Sequence, residues 1–135
     1  MIDGKPMVLF VCLHNAGRSQ MAAAFFNRAA AGRAVGESAG TTPGERVHPA
    51  VVEVMREVGI DLAGARPKAL SEELQRAADR AVTMGCGDAC PLVRAPVLDW
   101  DLPDPRDMPI ARVREVREEI ERRVAALAAE VLPGR

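Results

Sequence analysis

The sequence predicts an α/β domain in three layers, in which helices cover both faces of a four-stranded parallel β-sheet. Short apolar or β-branched segments alternate with segments whose apolar residues repeat every three to four positions. This alternation is typical of parallel strands joined by helices. Residues 7–11 are apolar throughout, which indicates a strand buried on both faces. The 135 residues suffice for one core, and we expect a single domain over residues 1–135.

The first strand is followed by a loop and a helix. The helix is indicated by apolar residues on one helical face, namely Ala22, Phe25, Phe26 and Ala29. We expect Ser19 to cap this helix, because a serine hydroxyl can accept a hydrogen bond from a free amide of the first turn. A second strand over residues 35–40 leads to a helix that begins near Pro49 and ends before Gly59. We interpret His48, at that helix start, as a capping or packing residue rather than a catalytic one.

The remaining elements complete the sheet. Ser71 is expected to cap a short helix, and residues 80–84 and 96–100 are predicted to form the third and fourth strands. A long final helix is indicated by apolar residues at three-and-four spacing, namely Val113, Val116, Ile120, Val124, Leu127 and Val131. Ligands of such folds bind at the carboxyl ends of the strands, so we expect the three loops that leave those ends to form one site.

The loop after the first strand has the pattern of an oxyanion site. Cys12 and Arg18 are separated by five residues between a buried strand and a helix. Backbone amides at a helix start, together with the helix dipole, attract anions. Gly17 lets the loop curl, Asn15 tolerates a left-handed conformation, and the guanidinium of Arg18 can hold two oxygens. The same positive groups favour the thiolate form of Cys12, a nucleophile. The predicted oxyanion-binding residues are Leu13, His14, Asn15, Ala16, Gly17, Arg18 and Ser19.

Two further loops carry reactive side chains. Cys86 and Cys90 lie in a segment with two glycines and a proline, and can serve as exchangeable thiols or, with Cys12 and His14, as zinc ligands. The fourth strand and the proline-rich loop after it carry the acids Asp99, Asp101, Asp104 and Asp107, any of which can supply a proton.

The composition of the chain disfavours some classes of function. A net charge of -1 gives no support for a nucleic-acid or membrane partner, and no apolar segment approaches the length of about 20 residues that spans a bilayer. Three cysteines without an export signal indicate reduced thiols, so we expect a cytoplasmic protein.

Taken together, the motifs resemble the low-molecular-weight protein tyrosine phosphatase family, and within it the thiol-coupled arsenate reductases. The likeness rests on the Cys12 loop with Ser19, residues 37–41, 47–49 and 59–62, the Cys86–Cys90 pair, and Asp104 before Pro105. The resemblance implies that an arsenate adduct on Cys12 is resolved through a Cys12, Cys86 and Cys90 disulfide relay, with arsenite as product. Arg18 would grip the oxyanion, and phosphate or sulfate would compete. Thioredoxin or a low-molecular-weight thiol would be the reductant.

The resemblance also assigns individual roles. Asp104 would be the general acid, because it is the acid directly before a proline, while Ser19 would stabilise the thiolate and Asn15 would fix the loop. We expect no cofactor and no metal. Some reductases of this type have a glutamate that helps hold potassium where this chain has Ala23, so the resemblance does not extend to that metal site. Two alternatives stay open: a small phosphatase, disfavoured by the absence of tyrosine, and a non-catalytic oxyanion or zinc binder. Arg106 and Asp107 after Pro105 match neither enzyme's pattern.

Overall fold

The computed structural model describes residues 4–85 and 97–132 and confirms the predicted fold class. The elements in chain order are β1 (Met7–Cys12), α1 (Arg18–Ala30), β2 (Val35–Gly40), α2 (Pro49–Glu57), α3 (Glu72–Ala77), β3 (Arg80–Thr83), β4 (Val97–Asp99) and α4 (Ile110–Val131). The strands form one parallel sheet in the order β2-β1-β3-β4.

Strand β1 is the centre of the core and is buried at all six positions. Its side chains alternate between two apolar clusters, as expected for a strand covered on both faces. Val8 and Phe10 pack in the larger cluster with α1, α2 and α4. Met7, Leu9 and Val11 enter the smaller cluster, against which α3 packs. The apolar segment predicted as a buried strand is therefore confirmed.

The helices also follow the sequence pattern. All six apolar residues that predicted the final helix are buried in α4. Ser71 caps α3, with its hydroxyl accepting a hydrogen bond from the amide of Leu74 at 3.1 Å. Helix α2 begins at Pro49, and Gly59 follows it with φ of +85°. No helix in residues 4–85 and 97–132 is long and apolar enough to cross a bilayer.

The register brings the carboxyl ends of the strands to one edge of the sheet. Cys12 of β1 pairs with Gly40 of β2, and Val11 pairs with Thr83 of β3. Thr83 in turn pairs with Asp99 of β4. The loop at Cys12 and the acidic loop after β4 therefore leave the same edge.

Glu57 at the end of α2 anchors α4 through two arginines. Its carboxylate accepts hydrogen bonds from Arg114 at 2.8 Å and Arg117 at 2.7 Å, and these lower the pKa of Glu57 from 4.5 to about 2. A carboxyl group whose pKa is depressed in the folded state stabilises the fold above its ordinary pKa and loses that contribution as the pH falls. We expect Glu57→Gln to lower the melting temperature at neutral pH, with the difference shrinking between pH 4.5 and 2.

Thermal unfolding of both proteins across this pH range is the measurement. Glu53→Gln, one turn earlier on the same helix and exposed, is the matched control and should follow the wild-type protein at each pH. A difference between Glu57→Gln and wild type that stays constant with pH would contradict the assignment.

Candidate active site

In the loop between β1 and α1, carbonyl groups accept hydrogen bonds, whereas the amides donate none within the described part of the chain. The carbonyl oxygens of Leu13, His14 and Ala16 accept hydrogen bonds at 2.9 Å from the amides of Thr42, Gly44 and His48, respectively. In contrast, the amides of residues 13–19 donate to no other residue in the described part of the chain. Donors left unpaired in a curled loop at a helix start form a site for a tetrahedral anion.

Close packing against Gly40 fixes the loop. A Cβ atom at Gly40 would lie 2.9 Å from Asn15 N, His14 C and Leu13 O. The end of β2 and the loop are therefore in contact through their backbones, and a larger residue at position 40 would push them apart.

Asn15 is the internal brace of the loop, and it adopts the predicted left-handed conformation, with φ of +52°. Its Oδ1 atom accepts hydrogen bonds from Lys68 N at 2.9 Å and Gln20 Nε2 at 3.2 Å. Its Nδ2 atom donates to Ser19 Oγ at 2.6 Å. Because the Lys68 amide can only donate, the orientation of the Asn15 amide is determined by its partners.

Ser19 connects this brace to Cys12. The Ser19 hydroxyl lies 2.9 Å from Cys12 Sγ, and both groups are buried. Since the hydroxyl oxygen already accepts a hydrogen bond from Asn15, its proton is free to point at the sulfur. The prediction that Ser19 caps α1 was wrong: Gly17 occupies the cap position without a side-chain capping bond. The Ser19 hydroxyl contacts the Cys12 thiol, whereas the sequence pattern predicted a hydrogen bond to a backbone amide at the helix start.

Sequence reasoning missed Gln20. Its side chain is buried, at 8% exposed, and Nε2 donates to Asn15 O at 3.1 Å and to Arg66 O at 3.2 Å. It therefore ties the loop to the extended segment that also supplies the Lys68 amide. A glutamine in the first turn of an amphipathic helix carries no local signal of this role, because its partner Arg66 lies 46 residues away.

Arg18 and Asp104 meet beside the loop. Arg18 is 5% exposed. Its Nη1 atom donates to the carbonyl of Leu102 at 3.0 Å, and Nη2 lies 3.8 Å from Asp104 Oδ2. Pro105 packs over the loop, since its Cγ atom lies 2.9 Å from the position of a Cβ atom at Gly17. The guanidinium is therefore held between the loop and the acid.

The other three acids of this segment lie elsewhere. Asp99 accepts a hydrogen bond from the Thr83 hydroxyl at 2.6 Å and so belongs to the end of the sheet. Asp101 is exposed, and the side chain of Asp107 is 92% exposed. Of the four, Asp104 is the one that contacts Arg18.

His48 lies at the rim of the same loop and is half-buried. Its ring atom Cδ2 is 3.4 Å from the position of a Cβ atom at Gly17, and its side chain makes no capping bond to α2. Of the two roles predicted from the sequence, packing therefore fits and side-chain capping does not. Burial lowers the pKa of His48, the carboxylate of Asp104 opposes this shift, and Arg106 adds to it.

Cys86 and Cys90 lie outside the described residues, so their predicted roles stay predictions. The last described residue before them is Gly85, and it lies against the site. A Cβ atom at Gly85 would be 2.5 Å from Arg18 Nη1 and 3.0 Å from Leu102 O.

We expect Gly85→Ala to lower activity by displacing the guanidinium of Arg18. Loss of one preorganised donor to a developing oxyanion costs up to about 10²- to 10³-fold in rate. The matched control is Gly59→Ala. Gly59 and Gly85 have φ of +85° and +71°, so both variants carry the strain of about 1–2 kcal/mol of a side chain in the left-handed region. A Cβ atom at Gly59 meets nothing within 4 Å.

Anion affinity and turnover of the two variants, compared at equal folded fraction, are the measurement. Equal activity of Gly85→Ala and Gly59→Ala would show that the contact with Arg18 is unimportant.

Comparison with known proteins agrees with this geometry. The sequence pattern of the family described as low molecular weight phosphotyrosine protein phosphatase matches residues 7–133. A relative from Halobacterium salinarum, provisionally named an arsenate reductase, is 41% identical over 130 residues, which are 92% of each chain. The glutaredoxin arsenate reductase of Synechocystis is 34% identical over 128 residues, covering 92% of this chain and 97% of the relative.

A solved structure is similar over nearly the whole fold. The thioredoxin-dependent arsenate reductase of Corynebacterium glutamicum superposes with a TM-score of 0.83 and 38% identity, covering 97% of this chain. This chain spans 64% of that protein's chain. The match over residues 7–133 and the curated relatives lead to one conclusion: the chain belongs to the low molecular weight phosphotyrosine protein phosphatase family.

Proposed function

We propose that this chain is an arsenate reductase that converts arsenate to arsenite in arsenic detoxification. The observation that carries the proposal is a buried Cys12 thiol that contacts Ser19, at the start of a loop whose amides donate to no residue in the described part of the chain. That loop ends at Arg18, which lies 3.8 Å from Asp104. The names of the relatives, which include a glutaredoxin and a thioredoxin-dependent arsenate reductase, support arsenate as the oxyanion.

In the first step, the Cys12 thiolate attacks the arsenic of a bound arsenate. The amides of residues 13–19 and the guanidinium of Arg18 hold the arsenate oxygens and stabilise the charge that develops on them. Asp104 donates a proton to the departing oxygen, which leaves as water. A sulfur–arsenic bond forms, an arsenic–oxygen bond breaks, and the arsenic remains in its oxidised state.

Ser19 and Asn15 prepare the nucleophile for this step. The hydroxyl of Ser19 donates to the thiolate, and Asn15 holds that hydroxyl while bracing the loop against Lys68. A hydrogen bond to the anionic form of a group favours that form. These two residues are positioning residues, since neither transfers a proton or forms a covalent bond to substrate.

In the second step, the thiolate of Cys86 attacks the sulfur of Cys12. A Cys12–Cys86 disulfide forms, the sulfur–arsenic bond breaks, and its electron pair remains on arsenic, which leaves as arsenite. Cys90 then attacks Cys86, frees Cys12 and leaves a Cys86–Cys90 disulfide. Two thiols have thus supplied the two electrons. Gly85, which directly precedes Cys86 in the sequence, lies against Arg18, and this supports Cys86 as the first thiol to attack.

An external thiol must then reduce the Cys86–Cys90 disulfide. Thioredoxin and a low-molecular-weight thiol system are both suitable, and the names of two relatives mention thioredoxin and glutaredoxin, respectively. Such a relay requires reduced cysteines, so we propose that the protein acts in the cytoplasm, where thiols are kept reduced. We propose no metal, no cofactor, and no nucleic-acid or membrane partner.

A phosphatase is the second candidate, favoured by the family's name and by the same three side chains. Cys12, Arg18 and Asp104 are sufficient for hydrolysis of a phosphate ester through a cysteinyl phosphate. The third candidate, a zinc-binding protein, would require Cys12 and His14 as ligands. His14 Nδ1 instead lies 3.1 Å from the carbonyl of Thr42, and Cys12 contacts Ser19.

Turnover of arsenate by the purified full chain tests the proposal. Arsenite is counted with either thioredoxin and its reductase or a low-molecular-weight thiol with glutaredoxin as the sole reductant, and hydrolysis of an aryl phosphate is followed in parallel. Multiple arsenite molecules per enzyme in one arm support the proposal and identify the reductant. Aryl phosphate hydrolysis without arsenite in either arm would assign a phosphatase instead.

A further inference from the structure

The chain contains two histidines, and both lie at the oxyanion loop. His14 is within the loop, and its Nδ1 atom lies 3.1 Å from the carbonyl of Thr42. The imidazole of His48, in contrast, makes no hydrogen bond to any residue that the structure describes, although it is half-buried. A half-buried ring at the rim of an anion site, whose two nitrogen atoms have no partner among the described residues, has hydrogen-bonding capacity available for a ligand.

The ring of His48 and the proline that follows the acid pack on the same glycine. Both His48 Cδ2 and Pro105 Cγ pack on Gly17, at 3.4 and 2.9 Å from its Cβ position. The imidazole is thus next to the residue that follows Asp104, and next to the residue that precedes Arg18.

Charged and titratable groups on several elements act on this imidazole. The oxyanion loop contributes His14, and the acid loop contributes Asp104, Arg106 and Asp107. Arg18 follows Gly17 at the start of α1, and the positive end of the α2 dipole lies at His48 itself.

We propose that His48 is a specificity-determining residue of the oxyanion site: its protonated form is a second cation beside Arg18 and tightens the binding of tetrahedral dianions as the pH falls. This inference rests on the proposed oxyanion site. In the free protein, burial keeps the imidazole neutral by lowering its pKa from the ordinary 6.5. A bound dianion favours the imidazolium, so anion binding and His48 protonation strengthen each other reciprocally.

The presence of two histidines makes the test direct, because proton NMR resolves two ring C2–H signals. The signals are titrated from about pH 5 to pH 8 with sodium sulfate and with sodium chloride at equal ionic strength. Sulfate is the probe because it stays a dianion over this range, whereas arsenate and phosphate change charge. The His14→Asn variant assigns the two signals.

We expect sulfate to raise the titration midpoint of His48 by about one pH unit, which corresponds to about tenfold tighter sulfate binding by the protonated form. The sulfate Kd of His48→Asn should then lose this pH dependence, while His14→Asn should keep it. Each variant removes one imidazole near the loop. A difference in pH dependence between them can therefore be assigned to His48.

An unmoved His48 midpoint, with sulfate-induced shifts in the amide signals of residues 13–19, would overturn the inference and leave the oxyanion site intact. Absence of any amide response to sulfate would overturn the oxyanion site, and this inference with it.

Discussion

Replacing Asp104 with asparagine is expected to slow the chemical step by about 10²- to 10⁴-fold. Asparagine has the same shape but no acidic proton, so the oxygen leaving arsenic would depart without protonation. Oxyanion affinity should be nearly unchanged, because the loop amides and Arg18 remain. The contact between Arg18 Nη2 and Asp104 Oδ2, at 3.8 Å, is beyond hydrogen-bond distance and is not one of the contacts that hold the anion. Single-turnover formation of the Cys12 adduct is the measurement.

Three matched variants test whether the effect belongs to Asp104. Asp107→Asn, on an exposed side chain of the same loop, should leave the single-turnover rate unchanged. Asp99→Asn keeps an oxygen that can accept the hydrogen bond from Thr83 but removes the negative charge, so it should lower thermal stability only modestly and have a much smaller effect on rate than Asp104→Asn. An unchanged rate for Asp104→Asn, together with a slow Asp101→Asn, would move the acid role to Asp101.

The fold was predictable from the sequence wherever the pattern of apolar residues in a segment matches the faces that the segment buries. Residues 7–11 are apolar at each position because the strand is central and covered on both faces, so composition alone identifies it. The periodicity of α4 is equally direct, because the helix has one buried and one solvated face. The N-terminus of α1 was not predictable in this way, because the Ser19 hydroxyl has two competing partners, a backbone amide and the Cys12 thiol.

The reactive groups of the candidate site were predictable from the sequence, whereas the residues that position them were less so. The spacing of Cys12 and Arg18 is encoded within one short loop. The brace on Asn15 depends on the Lys68 amide, 53 residues further along the chain, and the packing of His48 on Gly17 depends on how α2 meets the loop. Contacts of this kind arise from the tertiary fold and have no signature in a short window of sequence.

The second large effect concerns the order of the thiols. If Cys86 attacks the Cys12 adduct and Cys90 resolves the disulfide, Cys90→Ser should complete about one turnover per enzyme and stop with a Cys12–Cys86 bond. Cys86→Ser should release little arsenite, unless an outside thiol attacks the adduct in its place. Peptide mapping after one equivalent of arsenate, with arsenite counted per enzyme, distinguishes the two variants.

Aryl phosphate hydrolysis, which is measurable only if the chain has residual phosphatase activity, is the internal control for both variants. It needs Cys12, Arg18 and Asp104 and no other thiol, so both variants should retain the wild-type rate if their sites are intact. Sustained multiple turnover by Cys90→Ser with thioredoxin as the sole reductant would show that the third thiol is dispensable. Thioredoxin would then reduce the Cys12–Cys86 disulfide directly, and the relay would use two cysteines of the chain rather than three.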